Sequence, residues 1–314
     1  MLRIRGLKKS YKSFPVLLDL NMSLNKGDVY GFLGTNGCGK TTTMNILCNI
    51  IHKDGGDVQF LNDDVKIGYL PESPALYGYM NGFEYLDYIG ACCEYTGNIK
   101  ERTVEVLKAT SMFESANRLI GGYSRGMTQR IGIAAALYAN PDLLILDEPT
   151  SALDPAGRSE VMDIIMNLSS SGATIILCTH ILSDVERVAN KVGILHNGVM
   201  AVEGTISDIK YHYHAKTSLT VRLQNAKDDH ETKGIAESAL KELGIVETCE
   251  IQHYGDFHVF PKDSISEAEL YYKVATMLAG KQIVPEGMWF NRISLEQIYL
   301  GINSGQLQPM GGSF

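Results

Sequence analysis

A glycine-rich segment in the first part of the chain has the residue types and spacing to bind phosphate. It fits the pattern G-x-x-x-x-G-K-S/T and follows an apolar run at positions 29–33, as a strand-to-helix turn requires. Its glycines let successive backbone N–H groups point toward one anion, at the positive end of the helix that begins at Lys40. We expect Lys40 to reach the β- and γ-phosphates of a nucleotide and the Thr41 hydroxyl to hold Mg²⁺. The other phosphate-binding candidates are Gly34, Asn36, Gly37, Gly39 and Thr42.

Two adjacent carboxylates, Asp147 and Glu148, follow a second apolar run at positions 143–146. A buried strand ending there delivers both side chains to the carboxyl edge of a sheet, where open α/β sheets bind their ligands. We expect Asp147 to hold Mg²⁺ and Glu148 to orient and deprotonate the attacking water, because phosphoryl transfer depends on positioning and charge stabilisation. Since Asp-Glu is common at strand ends, this assignment depends on the phosphate-binding loop.

The elements that must position these residues follow from hydrophobic periodicity. Residues 1–68 have the pattern of short strands around one helix, and residues 71–137 show long helical patterns typical of a helical insertion. Strand and helix patterns then alternate up to residue 195, which predicts a doubly wound α/β core. The sequence therefore predicts a nucleotide-binding domain at residues 1–205, with a helical subdomain at about 71–137.

A smaller accessory domain is predicted at residues 206–303. Its strand and helix patterns follow the order β-α-β-β-α-β, which is the split βαβ arrangement of ferredoxin-like α+β folds. The Gly-rich tail at 304–314 is expected to be disordered. His212 and His214 would share one face of a strand as metal ligands do, but a plain linker is favoured because no further ligands lie nearby in the sequence.

Composition and charge exclude several classes of protein. The chain has 314 residues, of which 45% are hydrophobic and 20% charged, as is typical of a globular protein. No apolar run is long enough to span a bilayer, and the first residues lack the apolar core of a signal peptide. The net charge of −8 does not favour nucleic acid as the main partner. We therefore expect a cytoplasmic protein that binds no nucleic acid.

A third motif lies between the other two, at Ser124-Arg125-Gly126-Met127, and opens a long helical pattern. The order and spacing of the three motifs resemble the ATP-binding cassette (ABC) ATPases, whose signature is usually Leu-Ser-Gly-Gly-Gln. A Ser-x-Gly turn at a helix start presents hydroxyl and N–H donors suited to a γ-phosphate. In the family these donors serve the nucleotide of the opposite subunit. The resemblance thus implies a P-loop fold, ATP as the nucleotide, and a homodimer or a pair with a similar ATPase chain.

Further family landmarks appear in order within residues 1–205. Asp154 ends a segment that resembles the loop crossing the dimer interface, and His180 follows a strand as the γ-phosphate-sensing histidine does. Tyr11 precedes the first core strand, where the family stacks an aromatic ring on adenine. Taken singly, His180 and Tyr11 also fit a structural histidine and a surface aromatic residue. Their ordered occurrence favours the resemblance.

Two features depart from the usual family pattern. Glu72 stands where a glutamine is most common, which puts a carboxylate near the metal, and the signature has Arg125 and Met127 in place of Gly and Gln. Both variants resemble those of bacterial exporter ATPases of the drug, antibiotic-peptide and sodium extrusion type. The resemblance implies an ATP-hydrolysing subunit on the cytoplasmic face of the membrane that drives export through a separate transmembrane permease.

Two groups of side chains leave alternatives open. Six tyrosines lie between positions 69 and 95, and they either pack the helical subdomain or form the groove that receives a permease helix in the family. Cys38 lies inside the phosphate-binding loop. It is either a small filler residue or a thiol whose ionised form is favoured by the positive helix end.

Two other functions also stay open at this point. A non-transport ABC ATPase, such as a soluble assembly factor, would not co-fractionate with membranes through a permease. A nucleotide-gated regulatory module with vestigial catalysis, suggested by Glu72 and the altered signature, would show no steady-state ATPase activity. The transported substrate is not encoded legibly in this chain, because the permease selects it.

Overall fold

The computed structural model describes residues 1–62, 64–213, 218–223, 230–251, 256–262, 264–291 and 294–307. The chain divides into two units, of which the first contains Met1–Ile209 together with the described residues from Tyr299 onward. The second unit contains Lys210–Ile298. Its start lies close to the predicted residue 206, but its end lies earlier than the predicted residue 303, because the residues after Ile298 group with the first unit.

Within the described residues, the first unit is built on a nine-stranded sheet. Its strands are β1 (Leu2–Tyr11), β2 (Phe14–Leu24), β3 (Val29–Gly34), β4 (Gly55–Phe60), β5 (Ile67–Leu70), β6 (Leu143–Asp147), β7 (Ile175–Thr179), β8 (Lys191–His196) and β9 (Val199–Thr205). The helices of this part of the chain are α1 (Lys40–Leu47), α2 (Gly82–Cys92), α3 (Ile99–Ala109), α4 (Arg125–Leu137), α5 (Pro155–Ser170), α6 (Leu182–Val188) and α7 (Ile206–His212). Strand β9 and helix α7 are absent from the sequence prediction.

The strand order β4-β1-β2-β9-β8-β3-β7-β6-β5 combines a parallel and an antiparallel part. Strands β8, β3, β7, β6 and β5 run parallel, and β3, β6 and β7 are buried along their whole length. Such strands are apolar throughout because helices cover both faces of the sheet. The register pairs Leu33 with Thr179 and Asp147 with Cys178. The carboxyl ends of β3, β6 and β7 therefore meet at one edge.

The predicted helical subdomain contains α2, α3 and α4. Asn81 and Glu84 form a reciprocal capping box at the start of α2, which satisfies backbone N–H groups that the helix itself cannot. Ser124 caps α4 by accepting a hydrogen bond from the Met127 N–H at 3.3 Å. Among the described helices, none combines the length and the apolar character that crossing a bilayer demands.

The second unit has a four-stranded antiparallel sheet and two long helices among its described residues. Its elements are β10 (Ser218–Leu223), α8 (His230–Glu242), β11 (Val246–Ile251), β12 (Phe257–Pro261), α9 (Glu267–Gly280) and β13 (Pro285–Asn291). The strand order β11-β12-β10-β13 gives the predicted split βαβ topology. Leu219, Val221 and Phe257 of the sheet share one apolar core with Leu270 and Val274 of α9.

Two predictions for the linker and the tail are revised. His212 lies at the end of helix α7 rather than on a strand, and His214 lies outside the described residues. The last helix, α10 (Leu295–Asn303), is followed by four described residues of the predicted tail. The Leu307 N–H donates to the Gly301 carbonyl at 2.9 Å, so the chain is ordered up to that point. Residues 308–314 lie outside the described part.

Candidate nucleotide site

The phosphate-binding loop joins β3 to α1 and requires glycine at several positions. Gly37 and Gly39 have φ angles of 80° and 114°, in the left-handed region that favours glycine. A Cβ on Gly34 would lie 2.4 Å from Cys38 Sγ and 2.7 Å from the Leu195 carbonyl oxygen, so a larger residue would displace the loop. The sequence pattern is therefore a steric requirement of this turn.

A cleft of about 350 Å³ opens beside this loop. It is lined by Val16, Asn36, Gly37, Gly39, Lys40, Thr41, Thr42, Glu72, Glu148 and His180. The fold thus brings the predicted phosphate-binding residues together with the predicted base and the predicted γ-phosphate sensor. A larger cavity of about 560 Å³ lies along β1, β2 and β9, and its lining includes none of the predicted site residues.

Lys40 is the positive charge at the floor of the cleft. Its side chain is 6% exposed, and Nζ donates to the carbonyl oxygens of Gly34 at 2.7 Å and Thr35 at 3.2 Å. Nζ also lies 3.9 Å from Glu148 Oε1. A buried ammonium group needs such partners, because burial removes its hydration. Lys40 is therefore held in place where it can meet a phosphate.

Asp147 is well suited to hold a metal ion. It is fully buried, and its Oδ2 accepts a hydrogen bond from Thr41 Oγ1 at 2.8 Å. Among the described residues its Oδ1 has no hydrogen-bond partner. Burial raises the pKa of Asp147, and the hydrogen bond from Thr41 opposes that rise. A free carboxylate oxygen beside a hydroxyl matches the oxygen ligands that Mg²⁺ prefers, and Glu72 lines the same cleft.

Glu148 lies opposite Lys40 and has an unusual backbone conformation. Its φ of 49° lies in the left-handed region, which non-glycine residues adopt mainly where surrounding contacts enforce it. Both carboxylate oxygens lie 2.9 Å from His180 Nδ1, and Oε2 accepts from Thr179 Oγ1 at 3.3 Å. Sequence reasoning missed Thr179. Its place directly before His180, at the end of a buried strand, was the available signal.

The predicted residues of the signature motif and the interface loop, Ser124, Gly126 and Asp154, lie outside this cleft. Ser124 and Asp154 are exposed and cap the starts of α4 and α5, and Asp154 Oδ1 accepts from the Gly157 N–H at 2.9 Å. A Cβ on Gly126 would lie 3.7 Å from the Gly157 Cα, so the two helix starts are adjacent. Ser124, Gly126 and Asp154 therefore form a second cluster of polar groups, here called the signature surface.

Tyr11 does not line the cleft. It is 47% exposed and pairs with Phe14 across the turn between β1 and β2, while Val16 of β2 lines the cleft itself. Val16 was not predicted, because a valine in an alternating strand carries no signal for ligand binding.

For Cys38 the sequence left two alternatives open, and the surroundings of the thiol do not favour its ionised form. The side chain is buried and lies against Gly34, and burial raises the pKa of the thiol more strongly than the charge of Lys40 lowers it. The alternative prediction, a small filler residue, agrees with this packing. The positive helix end does not act on Cys38 as it does on an anion in the cleft.

Several known proteins are similar to this chain in sequence. Residues 17–151 match the family model described as ABC transporter. The chain is 38% identical over 215 residues to YxlF of Bacillus subtilis, an uncharacterized ABC transporter ATP-binding protein, covering 67% of this chain and 72% of that one. It is 37% identical over 210 residues to SrtF of Streptococcus pyogenes, a lantibiotic transport ATP-binding protein, covering 65% and 90%.

A solved structure shares the fold of the first unit. It is the dimeric, post-hydrolysis state of the ATP-binding cassette MJ0796 bound to ADP and Pi, with a TM-score of 0.59 and 25% identity. The match covers 66% of this chain and 99% of MJ0796. The predicted P-loop fold is confirmed. The chain therefore belongs to the ABC transporter family, as an ATP-binding subunit that hydrolyses ATP.

Proposed function

We propose that this chain drives export of a substrate through a separate transmembrane permease, working on the cytoplasmic face as a homodimer or paired with a similar ATPase chain. Two observations support this proposal. The relative SrtF is named for lantibiotic transport, and the MJ0796 structure is dimeric in a post-hydrolysis state with ADP and Pi bound.

The proposal that two chains pair rests on one observation. The two halves of the nucleotide site lie apart from each other within one chain. The cleft holds the groups that bind phosphate and metal, whereas the signature surface lies elsewhere and is exposed. Ser124 Oγ accepts from the Met127 N–H, which leaves its own hydroxyl hydrogen to donate. Two helix starts at one surface favour an anion there. A γ-phosphate held in the cleft of a second chain is the anion that we expect the donors of this surface to bind.

Each residue then has a stated task in the shared site. Lys40 stabilises charge on the transferred phosphoryl group, Glu148 takes a proton from the attacking water, and His180 contacts the γ-phosphate while holding Glu148. When bound, Mg²⁺ held by Asp147 and Thr41, with Glu72 nearby, supplies charge neutralisation for the phosphates. Asn36, Gly37, Gly39 and Thr42 contribute further phosphate contacts. The stacking of Tyr11 on adenine stays a prediction, since Tyr11 does not line the cleft, and Asp154 crosses the dimer interface.

The tyrosines of the helical subdomain provide a surface for the permease. Tyr77, Tyr79 and Tyr88 are 40%, 71% and 41% exposed, and the Tyr77 ring lies 5.8 Å from that of Tyr79 and 5.5 Å from that of Tyr88. Tyr85, by contrast, is 6% exposed and packs inside. Clustered exposed aromatic rings are typical of interface anchors. We assign Tyr77, Tyr79 and Tyr88 as the tyrosine patch that receives a permease helix.

A complementation experiment tests the shared site. Lys40→Ala removes the cleft's positive charge but keeps the signature surface, whereas Gly126→Asp places a carboxylate at the helix start where phosphate should bind. Gly126 has space for the new side chain, since its nearest neighbours would lie 3.7 Å or more from a Cβ. Each variant alone has two defective sites per pair. A mixture of the two forms some pairs with one intact site.

The expected result is that each variant alone hydrolyses ATP at background rates and that the mixture regains a measurable steady-state rate. Gly126→Asp should still bind a fluorescent ATP analogue as a monomer, because its cleft is unchanged. Full activity of Gly126→Asp alone, or no recovery in a mixture shown by sedimentation to contain mixed pairs, would contradict the shared site.

A further inference from the structure

A buried carboxylate outside the nucleotide cleft joins several segments that flank it. Asp184, in the first turn of α6, is 3% exposed. Its Oδ2 accepts from Thr150 Oγ1 at 2.6 Å, and its Oδ1 accepts from Arg158 Nε at 2.8 Å and Nη2 at 2.6 Å. Arg158 Nη2 also donates to Ser183 Oγ at 2.7 Å. Thr150, Arg158, Ser183 and Asp184 are called the Asp184 cluster below.

The cluster holds both ends of the loop that leads to the signature surface. Thr150 directly precedes residues 151–154. Arg158 lies in the first turn of α5, the helix that begins directly after Asp154. Inside this loop Ala152 has a φ of 58°, and the Leu153 N–H donates to the Thr150 carbonyl at 3.3 Å. Because both flanks bond to one buried carboxylate, the loop cannot shift without Asp184.

The same carboxylate is connected to the predicted base. The Asp184 N–H donates to the Ile181 carbonyl at 3.2 Å, and the Ile181 N–H donates to Thr179 Oγ1 at 3.0 Å. Thr179 Oγ1 in turn donates to Glu148 Oε2 at 3.3 Å.

On the other side, the Ser151 N–H donates to the Glu148 carbonyl at 3.2 Å, and Ser151 directly follows Thr150 of the cluster. Hydrogen bonds and chain neighbours thus form a closed ring from the Glu148 carboxylate through Asp184 back to the Glu148 backbone.

We propose, on the basis of the shared site described above, that Asp184 is a positioning residue for ATP hydrolysis. It fixes the interface loop at 151–154 relative to Glu148 and His180, so that arrival of a second chain at the signature surface and alignment of the base in the cleft are one coupled event. Asp184 does not line the nucleotide cleft. It acts through Thr150 and Arg158 on one side and through Thr179 on the other.

The chemistry of the cluster fits positioning. The guanidinium group of Arg158 meets one carboxylate oxygen with two nitrogen donors, an arrangement that fixes geometry as well as charge. Thr150, 2% exposed, reaches the other oxygen. An amide in place of the carboxylate would keep the shape and lose the charge that holds Arg158. The neighbouring helices would still pack, since α5 and α6 are in contact and each carries a fully buried valine, Val161 and Val185.

A second ion pair offers a matched control. Arg187 of α6 and Asp163 of α5 pair at 2.7 Å and join the same two helices, but their side chains are 40% and 58% exposed. Neither residue flanks the interface loop or Glu148. Asp163→Asn therefore removes an α5–α6 ion pair without touching the ring of hydrogen bonds, and it separates positioning from mere helix packing.

The test compares Asp184→Asn, Thr150→Val and Asp163→Asn in steady-state ATP hydrolysis by the full chain. We expect Asp184→Asn to lower kcat about tenfold and Thr150→Val to lower it by a smaller factor, with KM for ATP changed less than about twofold. Arg158→Lys keeps the positive charge but loses the contact through two guanidinium nitrogens. Its kcat should lie between those of the wild type and Asp184→Asn. Asp163→Asn should match the wild type.

A second readout measures pairing itself. In a Glu148→Gln background, sedimentation with ATP should show that adding Asp184→Asn raises the dimer dissociation constant about tenfold, while monomer affinity for a fluorescent ATP analogue is unchanged. Should Asp184→Asn not fold, Thr150→Val and Arg158→Lys decide the question by the same measurements.

Several results would overturn the positioning role. They are an unchanged kcat in Asp184→Asn and Thr150→Val, a raised KM with normal kcat, or an equal loss in Asp163→Asn. Failure of the shared site looks different, because the complementation described above would then fail. The kcat of the Asp184 variants is measured whether or not the shared site is confirmed.

Discussion

The nucleotide cleft and the signature surface differ in how their polar groups are satisfied. In the cleft, the side chains of Lys40, Asp147 and Glu148 are buried and already have hydrogen-bond partners within the chain. Lys40 donates to backbone carbonyls, Asp147 accepts from Thr41, and Glu148 is bonded to His180. On the signature surface, Ser124 and Asp154 are exposed and bond only to their own helix starts. One half of the site is therefore arranged within a single chain, and the other half depends on assembly.

Under the proposed pairing, this contrast assigns catalysis to the cleft and the dependence of hydrolysis on pairing to the signature surface. A preorganised cleft binds nucleotide without large rearrangement, because the charges and dipoles are already in place. Under the pairing proposed above, the exposed surface contributes only when a second chain brings a phosphate to it, so turnover depends on pairing. The predictions below challenge this division, beginning with the largest expected effect on ATP hydrolysis.

Glu148→Gln removes the base while keeping the size of the side chain. We expect kcat to fall by at least about 100-fold, because an amide cannot take a proton from water. ATP should still bind and trap a paired state, visible as an ATP-dependent shift in sedimentation. Repeated turnover by this variant, measured as phosphate released per chain, would contradict the role of Glu148.

Ser124→Ala tests the exposed half of the site. Loss of a hydroxyl donor to a charged phosphate should lower kcat about tenfold. The substitution also removes a helix cap, which costs about 1 kcal/mol of stability. Ser266→Ala is the matched control, because Ser266 caps α9 by accepting from the Glu269 N–H at 3.2 Å and lies in the second unit. Both variants should lose similar unfolding free energy in urea titrations, and only Ser124→Ala should lose ATPase activity.

Cys38 tests whether the cleft wall is closed around the loop. Since burial raises the pKa of this thiol, its thiolate fraction at neutral pH is low. We expect maleimide to modify the exposed Cys92 and Cys93 first and Cys38 at least about tenfold more slowly, with the Cys38 rate rising as the pH rises. Peptide mass spectrometry over time measures each site. Rapid labelling of Cys38 at neutral pH would show an open loop.

The tyrosine patch should have the smallest effect on hydrolysis by the isolated chain. Tyr77→Ala with Tyr79→Ala removes exposed rings that lie outside the cleft, so the basal ATPase rate should stay within about twofold of the wild type. Coupling to the permease should be lost, seen as failure of the permease to co-purify or to alter the ATPase rate. Tyr272→Ala, at a 72% exposed position in the second unit, is the control. Normal coupling in the double variant would remove this surface as the docking site.

Much of the fold followed from local sequence patterns. The buried strands β3, β6 and β7 were visible as apolar runs, and α1 was placed correctly because the glycine-rich loop fixes where that helix begins. The split βαβ order of the second unit was also legible. Strand β9 was missed, since its pairing with β8 depends on a turn at Asn197 and Gly198, which have φ angles of 48° and 75°.

The sequence by itself determined which chemical groups the site contains. Glycine, lysine, hydroxyl and carboxylate at set spacings predict phosphate and metal binding, because they supply N–H donors, a positive charge and oxygen ligands. Tertiary structure alone decided which of these groups share a cleft and which face away. It placed Val16 beside the phosphate loop, left Tyr11 outside, and buried Cys38.

Only the folded chain reveals the Asp184 cluster. Asp184 lies 34 residues after Thr150 and 26 residues after Arg158 and shares no motif with them, so no spacing rule predicts their contact. Their hydrogen bonds exist because α5 and α6 pack side by side at the carboxyl edge of the sheet. Local sequence specifies what each residue can do, whereas packing of distant segments decides which residues act together.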